Sequence, residues 1–193
     1  MSRPREFEET EVVDKAMRVF WRQGYEGTSL DDLMNVTGLT KSSIYKAFGN
    51  KANLYRLAKE RYDTHYLEFQ RKALEEETPR KIAEKFLYTT ARLHTSSDTP
   101  KGCFETNGAL ACSEASEEIR LELIKGRVEQ RARLRKRFDA TRSKGPVIGG
   151  SSDAAALFVV TLVQGMAVQA KAGASRQELE RFIDMALEAW PKK

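Results

Sequence analysis

Gly38 separates two short stretches of helical periodicity, and no other position constrains this chain as much. Before it, Leu30, Leu33 and Met34 recur at helical spacing behind Ser29, an N-cap residue with Asp32 three positions on to complete a capping box. After it, Leu39 turns inward, Thr40 stands where a second helix needs a cap, and Ile44, Ala47 and Phe48 form that helix's buried stripe. Glycine turns a chain at positive φ with little strain, so two such helices joined by one glycine pack as a tight corner. The outer side of the second helix then offers Lys41, Ser42, Ser43, Tyr45 and Lys46. Cations, hydroxyls and a phenol on a short helix match the major groove of DNA and its flanking phosphates.

The charge pattern agrees. From Thr40 to Arg61 the cations are Lys41, Lys46, Lys51, Arg56, Lys59 and Arg61, against Glu60 alone, whereas residues 1–39 are acidic on balance. A net charge of +5 over 193 residues is modest, so the informative point is where the positive stretch begins, at the second helix of the corner.

The rest reads as helices with clear punctuation. Val12, Val13, Ala16, Met17 and Phe20 recur from about Phe7 to Gln23, and Gly24 ends that helix. A long helix is expected from Lys51 to about Glu76. Thr78 caps and Pro79 opens a helix to His94, followed by a loop from Thr95 to Gly102. A short helix is expected from Phe104 to Ala111 and a long charged one from Glu117 to about Ser143. Beyond the break at Gly145, Pro146, Gly149 and Gly150, residues Ser152 to Ala172 form a helix apolar nearly all round. Ser175 and Glu178 then make the capping box of a last helix that ends at Trp190 and Pro191. No strand pattern competes, so the expected fold is all-α with about nine helices. The expected division is residues 1–50 as a three-helix head and residues 51–193 as a second helical domain joined to it by the long helix.

Several classes fall away. No apolar run is expected to reach the roughly 18 residues of a membrane span, and MSRPREFEET lacks the apolar segment of a signal peptide, so a cytoplasmic location is expected. Cys103 and Cys112 are too few for a disulfide framework and have no metal-ligand neighbours, so neither a metal nor another cofactor is expected. There is no phosphate-binding glycine loop, no H-E-x-x-H and no G-x-S-x-G, and with only two histidines no triad, which argues against an enzyme.

The stretch from Phe20 to Ala58, FWRQGYEGTSLDDLMNVTGLTKSSIYKAFGNKANLYRLA, resembles the TetR family of one-component transcriptional regulators. It carries that family's G-Y-x-x-T-S start, its glycine turn before T-K, and its I-Y-x-x-F-x-x-K pattern; Met34, Thr37 and Lys46 depart from the usual residues. The resemblance implies a two-fold dimer on a palindromic operator, most simply a repressor, and an inducer pocket in each C-terminal domain whose filling swings the fourth helix. Two reading heads must span half-sites about 34–36 Å apart, so a small swing breaks the register. It also implies that Thr28 and Thr40 offer hydroxyls to phosphates at helix N-termini.

The DNA-contact set expected is therefore Thr28, Thr40, Lys41, Ser42, Ser43, Tyr45, Lys46 and Lys51. Tyr62, His65, Tyr66, Phe69, Phe86, Arg92, Phe104, Asn107 and Met166 are candidates for the inducer pocket, although aromatics at helical spacing also serve as ordinary core. The helices at 152–172 and 175–190 are expected to pair with their symmetry mates, since one subunit cannot cover both apolar faces. The block Arg127, Arg131, Arg133, Arg135, Lys136 and Arg137 reads as a solvated face. Two alternatives stand beside ligand-released repression. One is a thiol sensor at Cys103, activated by a helix N-terminus; the other is an architectural DNA-binding protein without ligand control.

Overall fold

The computed structural model describes residues 3–109 and 116–191. These residues form ten α-helices and no strand. They are α1 (Arg3–Gly27), α2 (Leu30–Thr37), α3 (Lys41–Phe48), α4 (Lys51–Tyr66), α5 (Glu68–Leu74), α6 (Pro79–His94), α7 (Phe104–Ala109), α8 (Glu117–Thr141), α9 (Ser152–Lys171) and α10 (Arg176–Glu188). Periodicity predicts about nine, and the additional helix comes from a break in the stretch expected to run unbroken from Lys51 to Glu76. Leu67 sits at φ −102°, ψ 11°, outside the helical region, and its carbonyl accepts from Gln70 N in a three-residue turn. No glycine or proline marks the spot, so side-chain periodicity runs straight through it. Cys112 and the expected helix end at Ala111 lie outside the described residues.

The chain divides into two compact units. The first comprises Met1–Tyr66 and Phe104–Leu123, the second Leu67–Cys103 and Ile124–Lys193. In the first, α1 packs on α2, α4 and α7, and its core is a set of rings in contact. Trp21 meets Tyr62 edge to face at 4.7 Å, Tyr55 stacks on Phe104 at 5.0 Å, and Phe20 meets Tyr55 edge to face at 5.0 Å. Gly24 interrupts α1 at φ 75°, ψ 177°, and a Cβ there would lie 2.5 Å from the backbone oxygen of Asn107. Only glycine allows α7 to approach that closely. The Asn107 amide then donates to the Trp21 carbonyl at 2.8 Å and holds α7 against α1.

In the second unit, α6 packs against α5, α9 and α10 around Phe86, Leu87, Phe138, Val159, Val163, Ile183 and Trp190. The Trp190 indole donates to the Pro146 carbonyl at 3.0 Å and fixes the end of α10 to the break before α9. The arginine block is not simply a solvated face. Arg137 donates to the carbonyls of Leu74 and Glu76 at the end of α5, and Arg131 pairs with Asp153. Helix α9 corrects the expectation on apolar runs. It is 20 residues long with a mean hydropathy of 1.5 over its most apolar window, enough by length and composition alone to cross a membrane. Ala155, Ala156, Val159, Val160, Val163, Met166, Ala167 and Ala170 are nevertheless buried in the helical core.

Candidate nucleic-acid interface

Local chemistry builds the corner between α2 and α3. The Ser29 hydroxyl accepts from Asp32 N, and the Asp32 carboxylate accepts from Ser29 N at 2.8 Å, completing the capping box. The hydrogen bonds from Ser29 hold the Asp32 pKa below the ordinary carboxylate value. Gly38 turns the chain at φ 74°, ψ 9° and donates its N–H to the Met34 carbonyl. Thr40 caps α3 by accepting from Ser43 N at 3.2 Å, and its hydroxyl also lies 3.0 Å and 2.9 Å from those of Ser42 and Ser43. Ile44 and Phe48 anchor α3 in the core. Ala47, expected in that stripe, is exposed instead; α3 is so short that two large side chains complete its inner face.

The outer face of α3 therefore carries Lys41, Ser42, Tyr45 and Lys46 exposed, with Ser43 half-buried and the Lys41 ammonium 6.0 Å from the Tyr45 ring centroid. At the start of α4 the Lys51 ammonium sits 4.4 Å over the Tyr25 ring. Burial draws its pKa below the ordinary lysine value, while Glu26 and Asp32 push it back up. Thr28 does not join this surface. It is fully buried, and its hydroxyl donates to the Gly24 carbonyl at 2.7 Å, which removes it from the groups able to meet a phosphate. The bond runs to the carbonyl four residues back, a common partner of a threonine hydroxyl at a helix end.

Tertiary contacts narrow the positive stretch further. Arg56 pairs with Glu118 and Glu122, Lys59 with Asp63 and Glu105, and Arg61 with Asp14. Of the six cations between Thr40 and Arg61, only Lys41, Lys46 and Lys51 have no ion pair among the described residues. The cations without an ion pair thus lie on α3 and at the first residue of α4, where Lys51 still feels Glu26 and Asp32. Most of the counter-charges come from α1, α7 and α8, too far along the chain for a local charge count to find.

The family model "Bacterial regulatory proteins, tetR family" matches residues 12–58, which span this corner and its two bracing helices. The HTH-type transcriptional repressor ComR of Escherichia coli K12 is 32% identical over 194 residues, covering 98% of this chain and 92% of ComR. The chain belongs to the TetR family. This regulator superimposes with a TM-score of 0.87 on the TetR family regulator CifR, a cysteine-substituted variant in complex with 26bp double-strand operator DNA. Identity there is 31%, covering 93% of this chain and 95% of CifR. A TetR-type protein of Rhodococcus sp. RHA1 gives a TM-score of 0.62 at 31% identity, covering 95% and 99% of the two chains. The regulator is a DNA-binding protein of transcription.

The inducer candidates divide between the two units. In the first, Tyr62 and Phe104 are buried in the ring cluster, Tyr66 stacks on Tyr62 at 5.8 Å, and Asn107 is held by Trp21; His65 is exposed. In the second, Phe69 and Phe86 meet at 6.3 Å, Met166 is buried in the core, and Arg92 is exposed. Within the first unit the rings fill one another's space, as core does. Cys103 is a half-exposed thiol immediately before α7. The α1–α7 clamp has no signal in the sequence, because nothing in the spacing of Trp21 and Asn107 marks two residues 86 positions apart as partners.

Proposed function

We propose that this protein is a repressor that binds a two-fold operator as a homodimer and leaves it when a small molecule binds. Residues 1–50 read the DNA through α3, and residues 51–193 receive the ligand and form the dimer. The observation that carries this reading is the outer face of α3, where Lys41, Tyr45 and Lys46 stand exposed and free of ion pairs among the described residues. Thr40, Ser42, Ser43 and Lys51 flank them as phosphate partners. That ComR is a repressor and that CifR holds operator DNA support the same reading for a chain of this likeness. A regulator of this kind works beside the chromosome, in the cytoplasm.

The dimer is assigned to α9 and α10. Leu157, Val168, Phe182 and Met185 remain exposed there, and a groove of about 490 Å³ lined by Leu162, Gly165, Leu179 and Phe182 runs between the two helices. A second copy of the same pair would cover both. Selection of bound DNA from a random pool, followed by gel-shift titration of Tyr45→Ala and Lys46→Ala, tests the reading. The selected site is expected to be palindromic, and each variant to lose roughly tenfold or more in affinity while melting like the parent. Unchanged affinity in both variants removes α3 as the reading helix.

A further inference from the structure

Along α6, Phe86, Thr90 and His94 succeed one another at four-residue intervals and form one stripe; all are buried, at 1%, 1% and 2% exposure. Thr90 Oγ1 and His94 Nδ1 are buried and have no hydrogen-bond partner among the described residues. Thr99 Oγ1 is a third such atom, in the loop that returns to α6 through Gly102 N–H and the His94 carbonyl at 2.9 Å. Thr37, Thr64, Thr89, Thr95 and Thr141 each donate to the carbonyl four residues back, the usual refuge of a threonine hydroxyl in a helix. Thr90 does not. Nearly all buried polar groups in folded proteins are paired, so two orphans one turn apart on one buried stripe require an explanation.

We infer that Thr90 and His94 are the polar anchor of the ligand site, receiving the hydroxyl of a neutral molecule whose apolar body lies along Phe86. This inference rests on the reading of the protein as a ligand-released regulator and names the chemistry of its ligand. A hydroxyl both donates and accepts. It therefore satisfies a threonine hydroxyl and an imidazole nitrogen together, either of which can take the complementary part. Neither atom takes a hydrogen bond from a lysine or arginine among the described residues, so no such donor there balances a carboxylate or phosphate. Burial holds the imidazole neutral, with its pKa pushed down to about 4, so His94 itself offers no positive charge at neutral pH. Arg92, the expected polar contact on this helix, is exposed, whereas Thr90 and His94 face inward.

The test uses the full chain with ¹⁵N-labelled histidine and two matched probes, benzyl alcohol and benzoate, which share a ring and differ in the polar group. Only His65 and His94 contribute imidazole signals. Millimolar benzyl alcohol is expected to shift the ring nitrogens of His94 and not those of His65, benzoate to leave both in place, and Thr90→Val to abolish the shift. Without ligand, Thr90→Val is expected to melt about 2–4 °C higher, because it removes a polar group that has no partner. No His94 shift, an equal shift with both probes, or a shift retained in Thr90→Val overturns the inference. So does a lower melting temperature in Thr90→Val, which would mean that a buried water or a protein group already satisfies the hydroxyl. If the parent itself selects no DNA, the regulator reading fails, while the His94 shifts still decide whether the pair receives a hydroxyl.

Discussion

The outer face of α3 and the outer faces of α9 and α10 are both unfinished surfaces, and they differ in what water does to them. Lys41, Tyr45 and Lys46 are hydrated while they wait, so leaving them exposed costs little and binding DNA means exchanging water and counterions for phosphates. Leu157, Val168, Phe182 and Met185 gain nothing from water, and every Å² they leave uncovered forgoes about 25 cal/mol. The first kind of surface suits a partner that comes and goes; the second suits one that stays. Thr90 and His94 add a third kind, polar and unfinished but buried away from bulk water. Such a pair stabilises whichever state brings it a partner, as a ligand-controlled switch requires.

Charging the apolar surface has the largest expected effect. Phe182→Glu with Met185→Glu is expected to turn a dimer into a monomer by sedimentation at micromolar concentration and to abolish operator binding, since one head alone cannot hold two half-sites. A variant that stays dimeric places the interface elsewhere and leaves the exposed side chains of α9 and α10 unexplained. Salt gives a smaller, graded contrast. With Lys41, Lys46 and Lys51 on each of two heads, operator affinity should fall about a thousandfold between roughly 50 and 200 mM salt while the dimer stays intact. An affinity indifferent to salt would move the contacts away from these lysines.

The enclosed pair predicts a pH effect. The unfolded chain takes up a proton at His94 near the ordinary value of 6.5, whereas the folded protein resists until about 4. Above 6.5 the two states bind the same number of protons and the group adds no slope. As pH falls from 6.5 to 4 the unfolded state is favoured, with a total loss of up to about 3 kcal/mol. His94→Phe should remove that part of the acid sensitivity, seen as a smaller difference in melting temperature between neutral pH and about pH 4. Identical slopes in parent and variant would mean that the imidazole is reached by water.

Whatever depends on neighbours within four residues can be read directly from the chain. The Ser29–Asp32 and Ser175–Glu178 capping boxes, the caps at Thr40 and Thr78, Pro79 at the start of α6 and the turn at Gly38 are i to i+3 or i+4 chemistry, and each stands where periodicity puts it. The interruption of α1 at Gly24 is legible in the same way, although Thr28 is not. Its expected phosphate role comes from the resemblance to the TetR family, whereas in the fold its hydroxyl turns inward to the Gly24 carbonyl.

The sequence by itself determined the helices, the corner at Gly38 and the side of α3 that faces out, because helix propensity, capping and hydrophobic period are local and short-ranged. Tertiary structure decided which cations are free to meet DNA. Arg61 finds Asp14 47 residues away, and Arg56 finds Glu122 66 residues away. It also set the clamp of Asn107 on Trp21 and the burial of Thr90 and His94 without partners among the described residues. Pairing and enclosure depend on what a fold carries to a side chain from elsewhere in the chain, and no spacing within a single helix records that.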